Sequence, residues 1–349
     1  MYRLGLVGYT NISSGIGCFI RELFDYLGDE NTSILSVNAG IKGQEKWTDR
    51  QYSAGRPPSQ REITEYLDTF TPDVVLFIET PFAEALYPLC RQRGIKTIAV
   101  PMHETFSAAR LKSDLMICTC YSAYEKAQGA DVRLLFLPIG LEMFPFVERT
   151  GHTFLMNIGY GGPHDRRQSS KVVHAFQMCD NPDARLIVNC QQSQFPPGVK
   201  VPDERITYFT GSRTHPREVY NEGDIYLAPM AYGGYERPIL EAMASGMPTL
   251  TTNADPMNLF QHDSRFLIEP CRKWLIKNSE WVVNTIYNEV SAEDLAEKMR
   301  WLMTIDTAKF SARARAQAFA QSWEDIEIPY LETWKGVLEE LCNERFDPV

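Results

Sequence analysis

The stretch EGDIYLAPMAYGGYERPILEAMASGMPTLTT, residues 222–252, carries more information about fold and chemistry than any other part of the chain. It predicts a short apolar strand over Ile225–Pro229, followed by a loop at Tyr232–Tyr235 that contains two glycines. A helix is predicted to open at Pro238 and to end at Gly246. Proline is tolerated in a first helical turn, and glycine accepts the left-handed conformation just past a last turn. The loop therefore presents backbone N–H groups at a helix N-terminus, which is a site suited to a diphosphate.

Glu241 lies about one turn into this predicted helix, where its carboxylate could accept hydrogen bonds from both hydroxyls of a ribose. A nucleotide held by its phosphates and its sugar is the simplest interpretation. The alternative is an ordinary strand–turn–helix unit of a parallel sheet. The residues of this segment that we predict to bind a nucleotide are Gly233, Gly234, Tyr235, Pro238 and Glu241.

The segment resembles the donor-site signature of retaining GT-B glycosyltransferases of family 4 (glycosyl transferases group 1), usually written E-G-F-G-x-P-x-x-E-A-x-A-x-G-x-P. The positions that match are Gly234, Pro238, Glu241, Ala242, Ala244, Gly246 and Pro248. One departure concerns the first glutamate, which in the family contacts the donor sugar and which is Gly233 here. Glu236, in the same loop, is the candidate to replace it, and we include it among the predicted catalytic residues.

The composition is that of a soluble globular protein. The 349 residues, 44% of them hydrophobic and 23% charged, suffice for two domains. No apolar run approaches the roughly 20 residues of a membrane span, and the N-terminus has no signal-peptide layout. The eight cysteines form no Cys-x-x-Cys pair, and the net charge of −10 argues against a protein that coats nucleic acid. We expect a cytoplasmic protein without integral membrane association.

Predicted strands and helices alternate along the chain, which indicates an α/β fold with parallel, doubly wound sheets. The resemblance implies the GT-B arrangement, in which two Rossmann-like domains face each other across a cleft and a C-terminal helix crosses back to the first domain. We place an acceptor domain at residues 1–148, a donor domain at 149–322 and the crossing segment at 323–349. A long loop is predicted from Gly40 to Pro58, and an inserted hairpin within Cys271–Asn288.

A histidine follows the strand predicted over Thr97–Pro101. Because ligands of open parallel sheets bind at the carboxyl ends of the strands, His103 is expected at the cleft. The resembled family often has His-Asp at this point, where this chain has His103-Glu104. The resemblance implies that the histidine contacts the transferred sugar, and we predict His103 to be catalytic. A histidine that only caps a loop is the alternative.

The loop GYGGPHDRRQSS, residues 159–170, precedes a predicted helix. Counting back from the Ala-Phe pair of that helix places Arg167 where the family has a lysine. Arg166 and Arg167 would then bind the donor diphosphate, and we also predict Arg167 to be catalytic. Two solvated arginines are the alternative. The loop is also similar to that of small glycosyltransferases from phages and environmental sequences.

Gly15 and Gly17, between the first strand and the first helix, fit the family's first glycine loop, and we include them in the nucleotide-binding set. A simple tight turn explains them equally well. No Asp-x-Asp triplet occurs, so the metal clamp of GT-A enzymes has no candidate here. We expect no essential metal and no cofactor beyond a nucleotide-sugar donor, with a UDP-sugar as the family default. The resemblance implies transfer of a hexose or pentose with retention at the anomeric carbon.

The acceptor is the part of the function on which the sequence says least. The predicted long loop and the residues after it carry five basic and two acidic residues, a local charge of +3. The candidate acceptor residues are Lys42, Lys46, Trp47, Arg50, Tyr52 and Arg56. Cationic and aromatic side chains together suit a nucleic acid, so duplex DNA with 5-hydroxymethylpyrimidine bases is one hypothesis. A saccharide, a lipid-linked saccharide or a peptide is the alternative acceptor, and a catalytically inactive nucleotide-sugar-binding protein is a third interpretation.

Overall fold

The structure, a computed structural model, divides the chain into two compact units. The first comprises Met1–Pro138 together with Ile326–Val349, and the second comprises Ile139–Asp325. The residues that the structure describes are 2–37, 44–78, 85–106, 112–127, 131–277, 282–325 and 327–343.

The boundary between the units lies earlier than the domain end that we placed at residue 148. Ile139 accounts for the difference, because its backbone pairs with the backbone of Gln321 and Trp323. Ile139 N–H donates to the Gln321 carbonyl at 2.9 Å, and Trp323 N–H donates to the Ile139 carbonyl at 3.2 Å. The stretch that follows Pro138 therefore belongs to the second unit.

A parallel sheet forms the centre of the first unit. Its strands are β1 Leu4–Gly8, β2 Ser33–Val37, β3 Gln51–Ala54, β4 Val74–Ile78, β5 Lys96–Val100, β6 Leu115–Cys118 and β7 Val132–Leu134. Their order across the sheet is β3-β2-β1-β4-β5-β6-β7, and the pairings are parallel. The helices between the strands are α1 Gly15–Leu27, α2 Gln60–Phe70, α3 Leu86–Gln92 and α4 Tyr121–Lys126. β1 and β4 are buried along their whole length, as is typical of parallel strands with both faces covered.

The second unit is built on a second parallel sheet. Its strands are β8 Thr153–Gly159, β9 Arg185–Cys190, β10 Ile206–Thr210, β11 Ile225–Ala228, β12 Thr249–Thr252 and β13 Leu267–Ile268, in the order β10-β9-β8-β11-β12-β13. A separate antiparallel hairpin consists of β14 Arg272–Ile276 and β15 Thr285–Glu289. The helices are α5 Ser169–Gln177, α6 Arg237–Ala244, α7 Ala292–Leu302 and α8 Thr307–Phe319. The predictions of two Rossmann-like α/β domains and of the hairpin are both confirmed.

The helix α9 Tyr330–Asn343 belongs to the first unit, as the predicted fold class requires. It packs against α1, and the Trp334 side chain is fully buried. The Trp334 indole N–H donates to the Phe136 carbonyl at 3.2 Å. Arg133 forms a bidentate ion pair with Glu340 at 2.8 and 2.7 Å. The helix α9 is therefore held to the first unit by both packing and charge.

Strand β3 lies inside the region where we predicted a long loop, so that prediction is wrong over Gln51–Ala54. The strand pairs with β2, and Ala54 is its one buried residue. Four residues at a sheet edge with a single buried side chain leave no continuous apolar run to detect.

Two arginines, Arg149 buried and Arg315 partly buried, hold the C-terminal end of α6. The Arg149 guanidinium donates to the carbonyls of Tyr220 at 2.7 Å, Gly223 at 2.9 Å and Ser245 at 3.1 Å. Arg315 donates to the Ala244 carbonyl at 2.7 Å. Burial lowers the pKa of both arginines below the ordinary value. Because Ser245 is the C-cap of α6, Arg149 binds the negative end of that helix and fixes it to the neighbouring turn.

We expect Arg149→Met to lower the free energy of unfolding by about 3 kcal/mol or more, because it leaves several buried carbonyls without their donor. The measurement is urea unfolding followed by circular dichroism. Arg185→Met is the matched control, since Arg185 also donates to two carbonyls but is exposed. Equal losses in the two variants would contradict the assignment of Arg149 as a buried anchor.

Candidate functional site

The predicted loop and helix are present where the sequence placed them. α6 begins at Arg237, with Pro238 in its first turn, and Gly246 follows its C-cap with a φ of 85°. Glu236 is the N-cap, with left-handed φ and ψ of 58° and 44°, and it makes no side-chain cap hydrogen bond. A non-glycine residue rarely adopts this conformation, and such strain is concentrated at functional sites.

The Glu236 carboxylate fills the space next to Gly233. A Cβ atom built on Gly233 would overlap Glu236 Oε1 and approach the rest of that carboxyl group too closely. The Glu236 side chain is only 4% exposed. A carboxylate thus occupies the volume into which a side chain at position 233 would project, although it is attached three residues later.

Arg167 lies beside Glu236. Its Nη1 donates to Glu236 Oε2 at 3.1 Å and contacts Met230 Sδ at 3.0 Å. The Arg167 side chain is 11% exposed, and its Nε has no hydrogen-bond partner among the residues that the structure describes. The structure therefore brings together two of the three residues that we predicted to be catalytic. A guanidinium with a donor still available is suited to a phosphate oxygen.

Arg166 has a different orientation. Its Nε donates to the Gly161 carbonyl at 3.1 Å, so the side chain lies along its own loop. A Cβ at Gly162 would approach Arg166 Nε to 2.7 Å, and Gly162 has a φ of 135°. The absence of a side chain at Gly162 therefore makes room for the Arg166 side chain.

Glu241 is buried, and both of its carboxylate oxygens already accept hydrogen bonds. Oε1 accepts from Arg237 Nε at 2.8 Å, and Oε2 accepts from the Tyr220 hydroxyl at 2.6 Å. The Arg237 guanidinium in turn lies 5.8 Å from the centre of the Phe144 ring. Each carboxylate oxygen can accept a second hydrogen bond, so the expected contact with a ribose is compatible with these partners.

Sequence reasoning missed Arg237, Tyr220 and Asn189. The spacing of four residues between Arg237 and Glu241 on a helix is a signal that could have identified the first. Tyr220 comes from a different segment, and no spacing rule connects it to Glu241. Asn189, next to the end of β9, is buried, and within the described part of the chain neither atom of its amide has a hydrogen-bond partner.

The two glycines at the start of α1 differ in their surroundings. A Cβ at Gly17 would overlap the Asn11 carbonyl, whereas one at Gly15 would meet nothing within 4 Å. The Gly17 N–H donates to the Ser14 hydroxyl at 3.0 Å, which caps the helix. The tight-turn interpretation therefore accounts for Gly17.

In the first unit, His103 and Glu104 follow β5 and are both buried. Lys126, at the end of α4, donates from Nζ to the His103 carbonyl at 2.8 Å. Burial lowers the pKa of Lys126 to about 8, and the nearby Glu104 carboxylate opposes that shift. The backbone of His103 is thus held by a partly desolvated ammonium group.

Four of the six candidate acceptor residues contact other side chains of the first unit. Lys46 pairs with Asp49 at 2.7 Å, and the Tyr52 hydroxyl donates to Glu65 at 2.5 Å. The Trp47 indole donates to Glu45 at 2.9 Å, and the Arg50 guanidinium lies 5.3 Å from the centre of the Phe70 ring. Arg56 is exposed, and Lys42 lies outside the described residues.

The described residues lack a metal-binding cluster and a membrane-spanning helix. They contain no group of three or more His, Cys, Asp or Glu side chains that could hold a metal ion. Of the helices in the same part of the chain, none has both the length and the apolar character needed to cross a membrane.

Comparison with known proteins connects this geometry to a family. The family model for glycosyl transferases group 1 matches residues 170–305. No curated protein matches the sequence.

Solved structures are similar over nearly the whole chain. A sucrose-phosphate synthase from Thermosynechococcus elongatus has 12% identity and a TM-score of 0.73, with 98% of this chain and 99% of that chain covered. Anabaena Alr3699/HepE in complex with UDP and glucose has 9% identity and a TM-score of 0.72, with 97% and 100% covered. A glycosyltransferase from Rickettsia africae has 12% identity and a TM-score of 0.70, with 99% of each chain covered. The resemblance seen in the sequence is thereby confirmed: residues 170–305 match the group 1 glycosyltransferases, and the chain has the two-domain Rossmann-like fold of GT-B glycosyltransferases.

Proposed function

We propose that the protein is a retaining, metal-independent glycosyltransferase that moves a hexose or pentose from a nucleotide diphosphate sugar to a hydroxyl acceptor. A UDP-sugar is the donor we favour, and Alr3699/HepE, which has a similar fold, is known in complex with UDP-glucose. The observation that carries the proposal is the largely buried ion pair of Arg167 and Glu236 at the N-terminus of α6.

The diphosphate is the group that this arrangement suits. Arg167 supplies a positive charge in a largely desolvated position, where electrostatic stabilisation is strongest. The N-terminus of α6 adds the positive end of a helix dipole, and no side-chain cap from Glu236 competes for it. These groups together would stabilise the charge that develops on the leaving diphosphate.

The proposed reaction needs little acid–base chemistry from the protein. The bond between the anomeric carbon and the phosphate oxygen breaks, and the acceptor oxygen bonds to that carbon on the same face. The acceptor's proton passes to the leaving phosphate oxygen. His103 keeps the role that the resemblance implies, a contact with the transferred sugar, and Glu236 is assigned the sugar contact of the glutamate that Gly233 replaces.

We expect Gly233→Ala to reduce turnover of UDP-glucose about tenfold or more, because the added methyl group displaces the Glu236 carboxylate from its place beside Arg167. Donor consumption is followed by release of UDP. Gly336→Ala, at a position where a Cβ meets nothing within 4 Å, is the control and should leave turnover unchanged.

A double variant tests the exchange of carboxylates directly. Gly233→Glu combined with Glu236→Gly returns the carboxylate to the family position and removes the overlap. Turnover in the double variant should exceed that of either single variant. If it equals the product of the two single losses, the two positions are independent and our assignment of Glu236 is wrong.

Glu241 requires a conservative substitution. Glu241→Ala would leave the buried Arg237 without its acidic partner, which costs about 3–5 kcal/mol of stability and obscures any effect on binding. We expect Glu241→Gln to fold and to bind UDP about tenfold more weakly, as removal of a charged hydrogen bond to ribose predicts. Calorimetric titration measures the affinity. Tyr220→Phe is the control, since it removes a partner of the same carboxylate without removing the carboxylate, and UDP affinity at the wild-type level in Glu241→Gln would exclude the ribose contact.

For the acceptor, the local pairing of Lys46, Tyr52 and Trp47 favours a saccharide or another small hydroxyl compound over duplex DNA. The test is an intact-mass assay that offers UDP-sugars with a 5-hydroxymethylcytosine duplex or with a panel of saccharides. We expect donor consumption without a gain in DNA mass. A gain of one sugar on the duplex would reverse this preference and establish the DNA-modifying alternative. Unused donor with every acceptor, despite measurable UDP binding, would support the catalytically inactive binding protein.

A further inference from the structure

The hairpin β14–β15 has no part in the proposed chemistry, but it is hydrogen-bonded to the segment that follows β11. The Asn288 backbone N–H donates to the Ala231 carbonyl at 2.8 Å, and the Asn288 side-chain amide donates to the same oxygen at 3.0 Å. Ala231 directly precedes the loop at Tyr232–Tyr235. Tyr232 and Tyr287 are also in ring contact, with centroids 6.1 Å apart.

The hairpin is also hydrogen-bonded, through Gln168, to the loop of residues 159–168 that carries Arg166 and Arg167, here called the arginine loop. Gln168 follows Arg167 and is fully buried. Its Nε2 donates to the carbonyls of Pro229 at 2.8 Å and Asn288 at 3.0 Å. Its Oε1 accepts from the Val290 N–H at 3.0 Å. One amide therefore joins the arginine loop, the end of β11 and the end of the hairpin, and both of its donor hydrogens are used.

The arginine loop needs such support. His164, Asp165 and Gln168 all have positive φ, at 60°, 45° and 50°. Conformations of this kind persist only where the surrounding structure holds them. The contacts that do so include the hydrogen bonds of Gln168 and the hydrogen bond from Ala231 N–H to the Arg166 carbonyl at 2.8 Å. Within the segment, the Asp165 carboxylate also accepts from the hydroxyls of Ser169 and Ser170.

We propose that the hairpin and Gln168 form a clamp that sets the position of Arg167 relative to Glu236, so that affinity for the diphosphate depends on residues that touch no ligand. This inference rests on the proposed function. Gln168 and Asn288 are positioning residues in this scheme: they fix the two loops from which the diphosphate-binding groups project. A binding site for a charged group requires its ligand-contacting side chains to be placed to within about half an ångström. The hydrogen bonds that hold those side chains therefore affect the affinity for the ligand.

The test compares UDP with uridine, because misplacing Arg167 weakens binding of the diphosphate and not of the nucleoside. We expect Gln168→Leu to raise the Kd for UDP at least tenfold while the Kd for uridine changes less than twofold. Asn288→Ala, which removes one bond of the clamp, should raise the Kd for UDP by a smaller factor. It also keeps the test decisive if Gln168→Leu does not fold.

Gln261→Leu is the matched control. Gln261 is a buried glutamine of the same unit, and its Nε2 donates to the Thr249 carbonyl at 2.7 Å, but it has no bond to either loop among the described contacts. All variants are first checked for an intact fold by thermal unfolding. The control should lower the melting temperature and leave the Kd for UDP unchanged.

Three results would overturn the inference. The first is unchanged affinity for UDP in the folded variants Gln168→Leu and Asn288→Ala. The second is an equal loss of affinity for UDP and for uridine, and the third is an equal loss of UDP affinity in Gln261→Leu. Either of the last two would indicate a general structural role. Wild-type protein that binds no UDP would instead overturn the proposed function, and the clamp with it.

Discussion

A guanidinium group removed from water must find acceptors or an acidic partner, and the second unit is organised by this requirement around one short helix. Arg149 and Arg315 bind the carbonyls at the C-terminal end of α6. Arg237 pairs with Glu241 inside the helix, and Arg167 pairs with the N-cap residue Glu236. Each bond is directional, so the helix is fixed at both ends and along its length. The position of the candidate site is therefore set by the carbonyls and carboxylates that bind these arginines.

The sequence alone was sufficient for the fold class and for the outline of this helix. Apolar runs predicted the buried strands, while Pro238 and Gly246 marked the start and the stop. β3 was not predicted, since an edge strand with one buried residue has no period to detect. The geometry of the candidate site could not be predicted from the sequence. A carboxylate near Gly233 could be suspected from Glu236, but its left-handed backbone and its overlap with position 233 depend on tertiary packing.

Charge counting over a segment also omits contacts that depend on tertiary packing. The basic loop gave a local charge of +3, which suggested an anionic acceptor. The count includes both Lys46 and Asp49, which form an ion pair in the fold. It does not include Glu65 on α2, which accepts a hydrogen bond from the Tyr52 hydroxyl. A sum over a segment ignores partners that the fold brings from elsewhere, so it describes the unfolded chain better than the folded surface.

The partly buried ammonium of Lys126 contributes to the stability of the first unit in a way that depends on pH. Its pKa is about 8 in the fold and about 10.4 in an unfolded chain, so between these values the unfolded state binds the extra proton. Stability from this group therefore rises with pH across that window, because the cost of burying the charge disappears as the proton leaves. The same deprotonation turns a charge-assisted bond to the His103 carbonyl into a neutral one. Deprotonation of Lys126 thus removes one cost of folding while it weakens a hydrogen bond that holds the His103 backbone.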